Sequence, residues 1–406
     1  MSNEPVVITG MGCVSPYGLG VDLLWESLVA GKDAIHPIER FDAAESRVKV
    51  AGMVPEATLA AMDFPEDPSL ATADLGLRYS AWAVREALGA AGLTQSDLPP
   101  ADTALVMATN FGPSEACEEM YASAAYGTEP DAEALRESLL GHATAYLAGL
   151  WGINGPRATL SLSCASGNAA LGYATDLVRA GRAKVAVVCG YDVLSEYCWS
   201  GLLALRTMTT DKVRPFDKGR SGTIFGEGAG AVVLETKSHA KSRSRDPRVE
   251  LAGHHSNNNA FHLTAPDKDG ASIVRAMMRA LEDARVGPGE VDHVNAHATG
   301  TKYNDAAETA AIRTVLGKRA SEIPVNGIKS MIGHLMGAAS IVQSIVAART
   351  VETGIVPPTI NYQTPDPECD LHYCISGAEK HDVRCAISNS SGLGGSNSVV
   401  VLRRLP

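Results

Sequence analysis

The chain is short of positive charge, of long apolar runs and of paired cysteines. Its 406 residues carry 35 Lys+Arg against 46 Asp+Glu, a net charge of −11, which argues against a general nucleic-acid-binding surface. No apolar run reaches the roughly 18 residues that a membrane span requires. The start, Met1-Ser2-Asn3-Glu4-Pro5, passes straight into the strand-like Val6-Val7-Ile8-Thr9-Gly10. It lacks the basic opening and apolar core of an export signal. The eight cysteines are scattered and none forms a Cys-x-x-Cys pair, so no structural zinc site or other metal is expected. Scattered thiols without an export signal point to a reducing cytoplasm. There is neither a low-complexity tract nor a charged tail.

What is present suits a large folded body. With 45% apolar residues, the chain can bury a substantial core and is long enough for two domain-sized halves. Strand-like runs at 104–109, 184–189 and 291–296 alternate with helix-like stretches at 81–91, 273–284 and 305–316, the pattern of an α/β fold. The first two runs are apolar enough for strands covered on both faces. A weak echo recurs at one offset of 166 residues: the glycine turn and strand from Gly226 reappear from Gly392, and the segment from Ala158 reappears from Pro324. A duplicated unit fits this echo, with residues 1–240 and 249–406 as the halves and the polar, basic stretch 237–248 between them on the surface. Glu115, Glu118, Glu119, Glu129, Asp131, Glu133 and Glu137 make one stretch acidic, as a solvated helical face would be.

Cys164 is the first candidate for chemistry. It lies where a strand-like run ending in Leu162-Ser163 meets an Ala/Leu-rich helix beginning near Ser166. A thiol at the N-terminal end of a helix is expected to have a lowered pKa and to be nucleophilic. The ordinary reading is a buried cysteine serving as a small hydrophobe. His297, in Asn295-Ala296-His297-Ala298-Thr299-Gly300-Thr301, and Lys329 and His334, in Lys329-Ser330-Met331-Ile332-Gly333-His334, shift the balance. All three sit at expected strand ends or helix starts, where side chains of an α/β sheet converge on a ligand.

Together these segments resemble the elongating β-ketoacyl-acyl-carrier-protein synthases of type II fatty acid and polyketide assembly, in the thiolase superfamily. The likeness runs nearly end to end. It includes the opening Val6 to Gly12, the central Arg214-Pro215-Phe216-Asp217-Lys218-Gly219-Arg220-Ser221-Gly222, the Gly226-Glu227-Gly228-Ala229 turn, the cysteine elbow, the His297–Thr301 loop and the run from Lys329 to Ala338. The resemblance implies a duplicated thiolase-like fold, layered α-β-α-β-α. It implies that Cys164 carries the acyl chain, that the N–H groups of Cys164 and Leu393 bind the oxyanion, and that His297 and His334 hold the enolate oxygen left by malonyl decarboxylation. Lys329 would orient that site, with Glu308 and Asp305 fixing its hydrogen bonds; both acids also suit the first turn of a helix. Thr299 and Thr301, with Thr264 near the entrance, would contact the phosphopantetheine arm, although each also reads as an ordinary turn hydroxyl.

No resident cofactor is implied, because that arm arrives on the acyl carrier protein. The implied partners are this acidic carrier and a second subunit, identical or a related ketosynthase. On an acidic chain, docking needs a local basic patch. Arg206 is the first candidate, in a segment with Lys212, Arg214, Lys218 and Arg220; such a run also reads as solvated surface.

Three departures stand out. The family's closing Asn-Ser-Phe-Gly-Phe-Gly-Gly reads Asn389-Ser390-Ser391-Gly392-Leu393-Gly394-Gly395 here, so both aromatic positions are lost, including the one that gates the cysteine. The usual His-Gly is His297-Ala298. The run Gly300 to Asp305 is closer to polyketide ketosynthases, which favours a polyketide or polyene pathway over housekeeping fatty acid synthesis. The alternative is a non-catalytic chain-length-factor-like subunit, but such subunits lack the active cysteine. Thiolases and initiating synthases use Cys-His-Cys or Cys-His-Asn sets, and a non-enzymatic scaffold leaves the Cys-His-His set unexplained.

Overall fold

The strand order of the first half of the chain is repeated in the second. Among the residues described, 4–129 and 132–406, the computed structural model has an eleven-stranded main sheet. In the first half its strands are β1 Val6–Ser15, β2 Thr103–Ala108, β3 Arg157–Leu160, β4 Val185–Asp192 and β5 Gly228–Thr236. In the second they are β6 Val249–Asn258, β7 His293–Asn295, β8 Val325–Asn326, β9 Cys385–Ser391 and β10 Ser396–Arg404. The eleventh, Gly18–Leu19, forms a hairpin with β1. The spatial order is β3-β2-β4-β5-β1 and then β6-β10-β9-β7-β8: in each half the third, second, fourth, fifth and first strands lie side by side. Directions repeat too. The second strand is parallel to the third and fourth, and the fifth is antiparallel to the fourth and first. The halves meet where β1 and β6 pair antiparallel, Val7 with Glu250 and Ile8 with Val249.

Five helices complete the layers: α1 Leu75–Ala91, α2 Ser166–Arg179, α3 Ala271–Ala284, α4 Lys302–Leu316 and α5 Ala339–Thr353. One outer layer is α1, packed on β1 and β5. The middle layer is α2 and α5, which touch each other and strands of both halves. The other outer layer is α3 on β6 and β10, flanked by α4. The order α, β, α, β, α is that of the thiolase-like fold.

Burial explains the elements. Every residue of β2 and β4 is buried, as strands covered on both faces require. Every residue from Ala339 to Ala348 in α5 is buried, because this helix has protein on all sides. The outer helix α3 instead buries one stripe, Ile273, Ala276, Met277, Ala280, Leu281 and Ala284.

Boundaries differ from the sequence expectations at helix starts. The first helix begins at Leu75 rather than near Ala81, capped by Asp74, whose carboxylate accepts the Gly76 N–H at 2.8 Å. The stretch 237–248 does run over the surface, but it is tied down. Arg243 pairs with buried Glu235 at 2.6 Å, and Arg245 donates to the carbonyls of Ala90 and Ala91 at the end of α1. The acidic stretch falls on helices Ser114–Tyr126 and Ala132–Glu137, apart from Glu129, which follows the first of them, and Asp131, which lies outside the described residues. Glu115 is an exception to the solvated face: it accepts the Leu75 N–H at 2.8 Å, and burial pushes its carboxyl up to about 7.

Candidate active site

The site forms at the C-terminal ends of parallel strands from both halves. Cys164 follows β3, His297 follows β7, Lys329 follows β8, and Leu393 follows β9. Between β3 and α2 the chain makes a strained turn in which Ser163 takes a left-handed φ of 53°. Ser166 holds this turn, its hydroxyl accepting the Leu162 N–H at 2.7 Å and donating to the Ser163 carbonyl at 2.6 Å. Gly392 lies against it so closely that a Cβ there would come within 2.8 Å of Ser163 Cβ and 2.9 Å of the Leu162 carbonyl. This glycine is required for the closing turn to approach the thiol.

Cys164 is 7% exposed. The backbone N–H groups of Cys164 and Leu393, the pair expected to form the oxyanion hole, favour the charged form of its sulfur. The expected lowering of the thiol pKa is not found. Burial pushes it up to about 11, Asp192 adds to that, and Lys329 with the two N–H groups offsets only part. Loss of water outweighs what the positive end of a helix supplies.

His297 and His334 are each 3% exposed. Their rings meet edge to face with centroids 5.4 Å apart. One nitrogen from each lies within 4.8 Å of the other and of Cys164 Sγ. Nδ1 of His334 accepts the Met336 N–H at 3.1 Å. Nδ1 of His297 faces the Lys329 ammonium at 3.4 Å and the Ser390 hydroxyl at 3.3 Å. An ammonium offers only protons, so Nδ1 is the acceptor in both rings and Nε2 carries the hydrogen. Burial first, and then the Lys329 charge, hold both imidazoles well below the usual histidine pKa, His334 adding to the effect on His297. Two neutral rings presenting Nε2–H suit an anionic oxygen rather than a cation.

Lys329 is buried. Its Nζ donates to the His297 carbonyl and to Gln343 Oε1, both at 2.6 Å. Burial lowers its pKa to about 8, against the raising influence of Cys164, Glu308 and Asp305. Glu308 accepts the N–H groups of His297 at 2.6 Å and Ala298 at 2.8 Å, and Asn389 Nδ2 at 2.6 Å. It thereby fixes a loop in which Ala298, where glycine is usual, adopts φ 45°. Asp305 accepts the N–H groups of Phe216 at 2.9 Å and Gly300 at 3.2 Å. Burial raises both carboxyls. Both acids therefore sit on α4 as loop anchors, but only Asp305 is in its first turn; Glu308 lies a turn further in.

The remaining expectations divide. Thr299 is buried, its hydroxyl 2.8 Å from that of half-buried Thr301 and 3.4 Å from Asp305. Thr264 is exposed, and its hydroxyl faces His262 at 3.4 Å. Its loop reaches the closing turn through the Leu263 carbonyl, which accepts the Gly394 N–H at 2.7 Å, and through the Asn259 N–H, which donates to the Gly395 carbonyl at 2.8 Å. Arg206 is exposed just past helix Glu196–Ala204. The basic segment around it is less available than expected: Arg220 is buried and paired with Asp366, Arg214 pairs with Asp211, and Lys212 with Asp33.

Three contributors carried no sequence signal. Gln343 lies 14 residues beyond Lys329 and Ser390 lies 93 beyond His297. Asp192, at the end of β4, accepts the N–H groups of Phe111 at 2.9 Å and Gly337 at 2.6 Å, and so ties the His334 loop to the first half. A Cβ on Gly337 would come within 2.6 Å of the Asn110 nitrogen.

Comparisons with known proteins agree with this geometry. The N-terminal domain of beta-ketoacyl synthase matches residues 3–240, and its C-terminal domain matches residues 248–363. The tetracenomycin polyketide synthase ketoacyl synthase alpha subunit of Streptomyces glaucescens is 36% identical over 419 residues, covering 99% of this chain and 98% of that protein. The 3-oxoacyl-acyl-carrier-protein synthase 2 of Coxiella burnetii is 30% identical over 422 residues, covering 100% of both. Among solved structures, the ishigamide ketosynthase/chain length factor superposes with a TM-score of 0.93 at 33% identity. A type II polyketide acyl-carrier protein in complex with its ketosynthase bound to the hexaketide gives 0.91 at 30%. Both cover 100% of each chain.

Proposed function

This chain belongs to the beta-ketoacyl synthase family, and we propose that it is an elongating condensing enzyme that extends a Cys164-bound acyl chain with a malonyl unit. Cys164 attacks the thioester of an acyl-carrier protein. The new bond joins Sγ to the acyl carbon, and the carrier leaves as its thiol with the cysteine proton. The N–H groups of Cys164 and Leu393 stabilise the oxygen that becomes negative in this step. Malonyl-carrier protein then loses carbon dioxide, and the electron pair of the broken bond passes into a thioester enolate. The Nε2–H groups of His297 and His334 hold the enolate oxygen. The enolate carbon attacks the acyl-cysteine carbonyl, releasing a β-ketoacyl-carrier protein, and the thiolate regains a proton.

The observation that carries this reading is the convergence of one thiol and one ring nitrogen from each of two neutral histidines within 4.8 Å, all three residues being buried. It favours catalysis over a chain-length-factor-like role, for which no reactive thiol is needed. Thr299 and Thr301, with Thr264 at the surface, would receive the phosphopantetheine arm, and Arg206 would meet the acidic carrier. No resident cofactor takes part. Relatives solved with a carrier protein and with a chain length factor support a carrier partner and a dimer, with itself or with a related subunit. The relatives span polyketide and fatty acid synthesis, and the Gly300–Asp305 run favours polyketide or polyene assembly. Among the described residues no helix is long and apolar enough to cross a membrane, which is compatible with work in the cytoplasm. The test is incubation of the purified chain, with any copurifying partner, with acyl- and malonyl-carrier protein. A β-ketoacyl-carrier product is expected; acyl binding without product would establish the non-catalytic role.

A further inference from the structure

Gln343 is 1% exposed, on the first turns of α5. Its Nε2 donates to the Ala296 carbonyl at 2.9 Å and the Asn389 carbonyl at 3.2 Å, with Asn295 Oδ1 at 3.5 Å. These groups come from the ends of β7 and β9, the strands that deliver His297 and the closing turn. All three face Nε2 with acceptors only, so the amide has one orientation: nitrogen toward the strand ends, oxygen toward Lys329. That oxygen takes a Lys329 proton at 2.6 Å, while the same ammonium donates to the His297 carbonyl.

We propose that Gln343 is a positioning residue for the reaction, whose neutral amide holds the Lys329 ammonium against His297 without supplying a compensating negative charge. A glutamate would offer Lys329 a carboxylate, but its second oxygen would face the Ala296 and Asn389 carbonyls with no proton between them. The groups acting on Lys329 are the Cys164 thiol, the Glu308 and Asp305 carboxyls, and the neutral rings of His297 and His334. Neither carboxyl hydrogen-bonds it directly: Glu308 is taken up by the N–H groups of His297, Ala298 and the Asn389 amide, and Asp305 by those of Phe216 and Gly300. Burial therefore wins, and Lys329 loses its proton as the pH rises through about 8. The cation beside His297 is present below that pH and fades above it. Both histidines stay neutral throughout, because they titrate far lower.

This inference rests on the condensing role proposed above. Its test is the pH profile of kcat and KM for condensation by the full chain with its copurifying partner, compared with Gln343→Glu and Gln343→Met. Native kcat is expected to fall on the alkaline side near pH 8. The carboxylate of Gln343→Glu should move that limb up by about one pH unit or more, since a directly bonded opposite charge has that effect. Gln343→Met, which takes away the acceptor and adds no charge, should move it down and lower kcat about tenfold while KM stays within about twofold. A purely structural glutamine would lower activity in both variants without moving either limb, and one common limb in all three proteins overturns the proposal. Should Gln343→Glu fail to fold, the direction of the Gln343→Met limb decides alone. If the native protein makes no β-ketoacyl product, the condensing role falls and this inference with it; an active native protein with unshifted variants removes only the inference.

Discussion

Nδ1 of His334 accepts the backbone N–H of Met336 at 3.1 Å, and Met336 adopts a left-handed φ of 51° in the turn that makes the bond. A non-glycine residue in that region carries a strain of about 1–2 kcal/mol, which here goes into fixing one tautomer. With Nδ1 occupied, His334 has only Nε2–H to give. His334→Ala is therefore expected to slow malonyl decarboxylation by about 100-fold, the usual cost of losing one oxyanion donor. Self-acylation of Cys164 should change little. Separate measurements of carbon dioxide release and acyl transfer check this, and equal loss in both would remove the distinct role.

The Cys164 thiol should behave as an unactivated one in the resting protein. At a pKa of about 11, thiolate at pH 7 is about one part in ten thousand. Alkylation by iodoacetamide is expected to rise about tenfold per pH unit between about pH 7 and about pH 9 without levelling off. Lys329→Met removes the charge that lowers the thiol pKa, so it should slow alkylation below about pH 8, where that charge is present, and have a diminishing effect above it. A plateau near neutrality would mean a thiolate that burial has not suppressed.

Glu308 accepts three hydrogen bonds and gives none. Glu308→Gln turns an NH2 group toward at least one of those N–H donors, so the His297–Ala298 loop loses an acceptor it cannot replace. A stability loss of about 1–3 kcal/mol is expected, read by denaturant unfolding. Unchanged stability would show that the loop does not depend on this carboxylate.

Leu393 is half-buried where a gating phenylalanine is usual. Leu393→Phe should narrow the range of acyl chains transferred to Cys164, measured with carriers bearing acyl groups of different length. An unchanged preference would remove Leu393 from selection.

The segments that carry chemistry were legible in the sequence because each is local. The Cys164 turn, the His297 loop and the Lys329–His334 run each keep their small residues and their functional side chain within a dozen positions. The 166-residue echo was also legible, since β3 and β8 lead into similar turns and similar glycine turns lead into β5 and β10. What could not be read was the distant partnership. Gln343 meets Lys329, and Ser390 meets His297, only because α5 and β9 pack beside β7 and β8. The raised Cys164 thiol pKa was missed for the same reason: a helix start is visible in the sequence, whereas the depth at which the sulfur is buried depends on both halves.

Intact-protein mass measurement after incubation with an acyl-carrier protein bears most directly on Cys164 as the acyl-carrying residue. One added acyl mass is expected, located on the peptide containing Cys164 and absent from Cys164→Ala, which should fold normally. An adduct that persists in Cys164→Ala, or maps to another residue, would contradict the assignment.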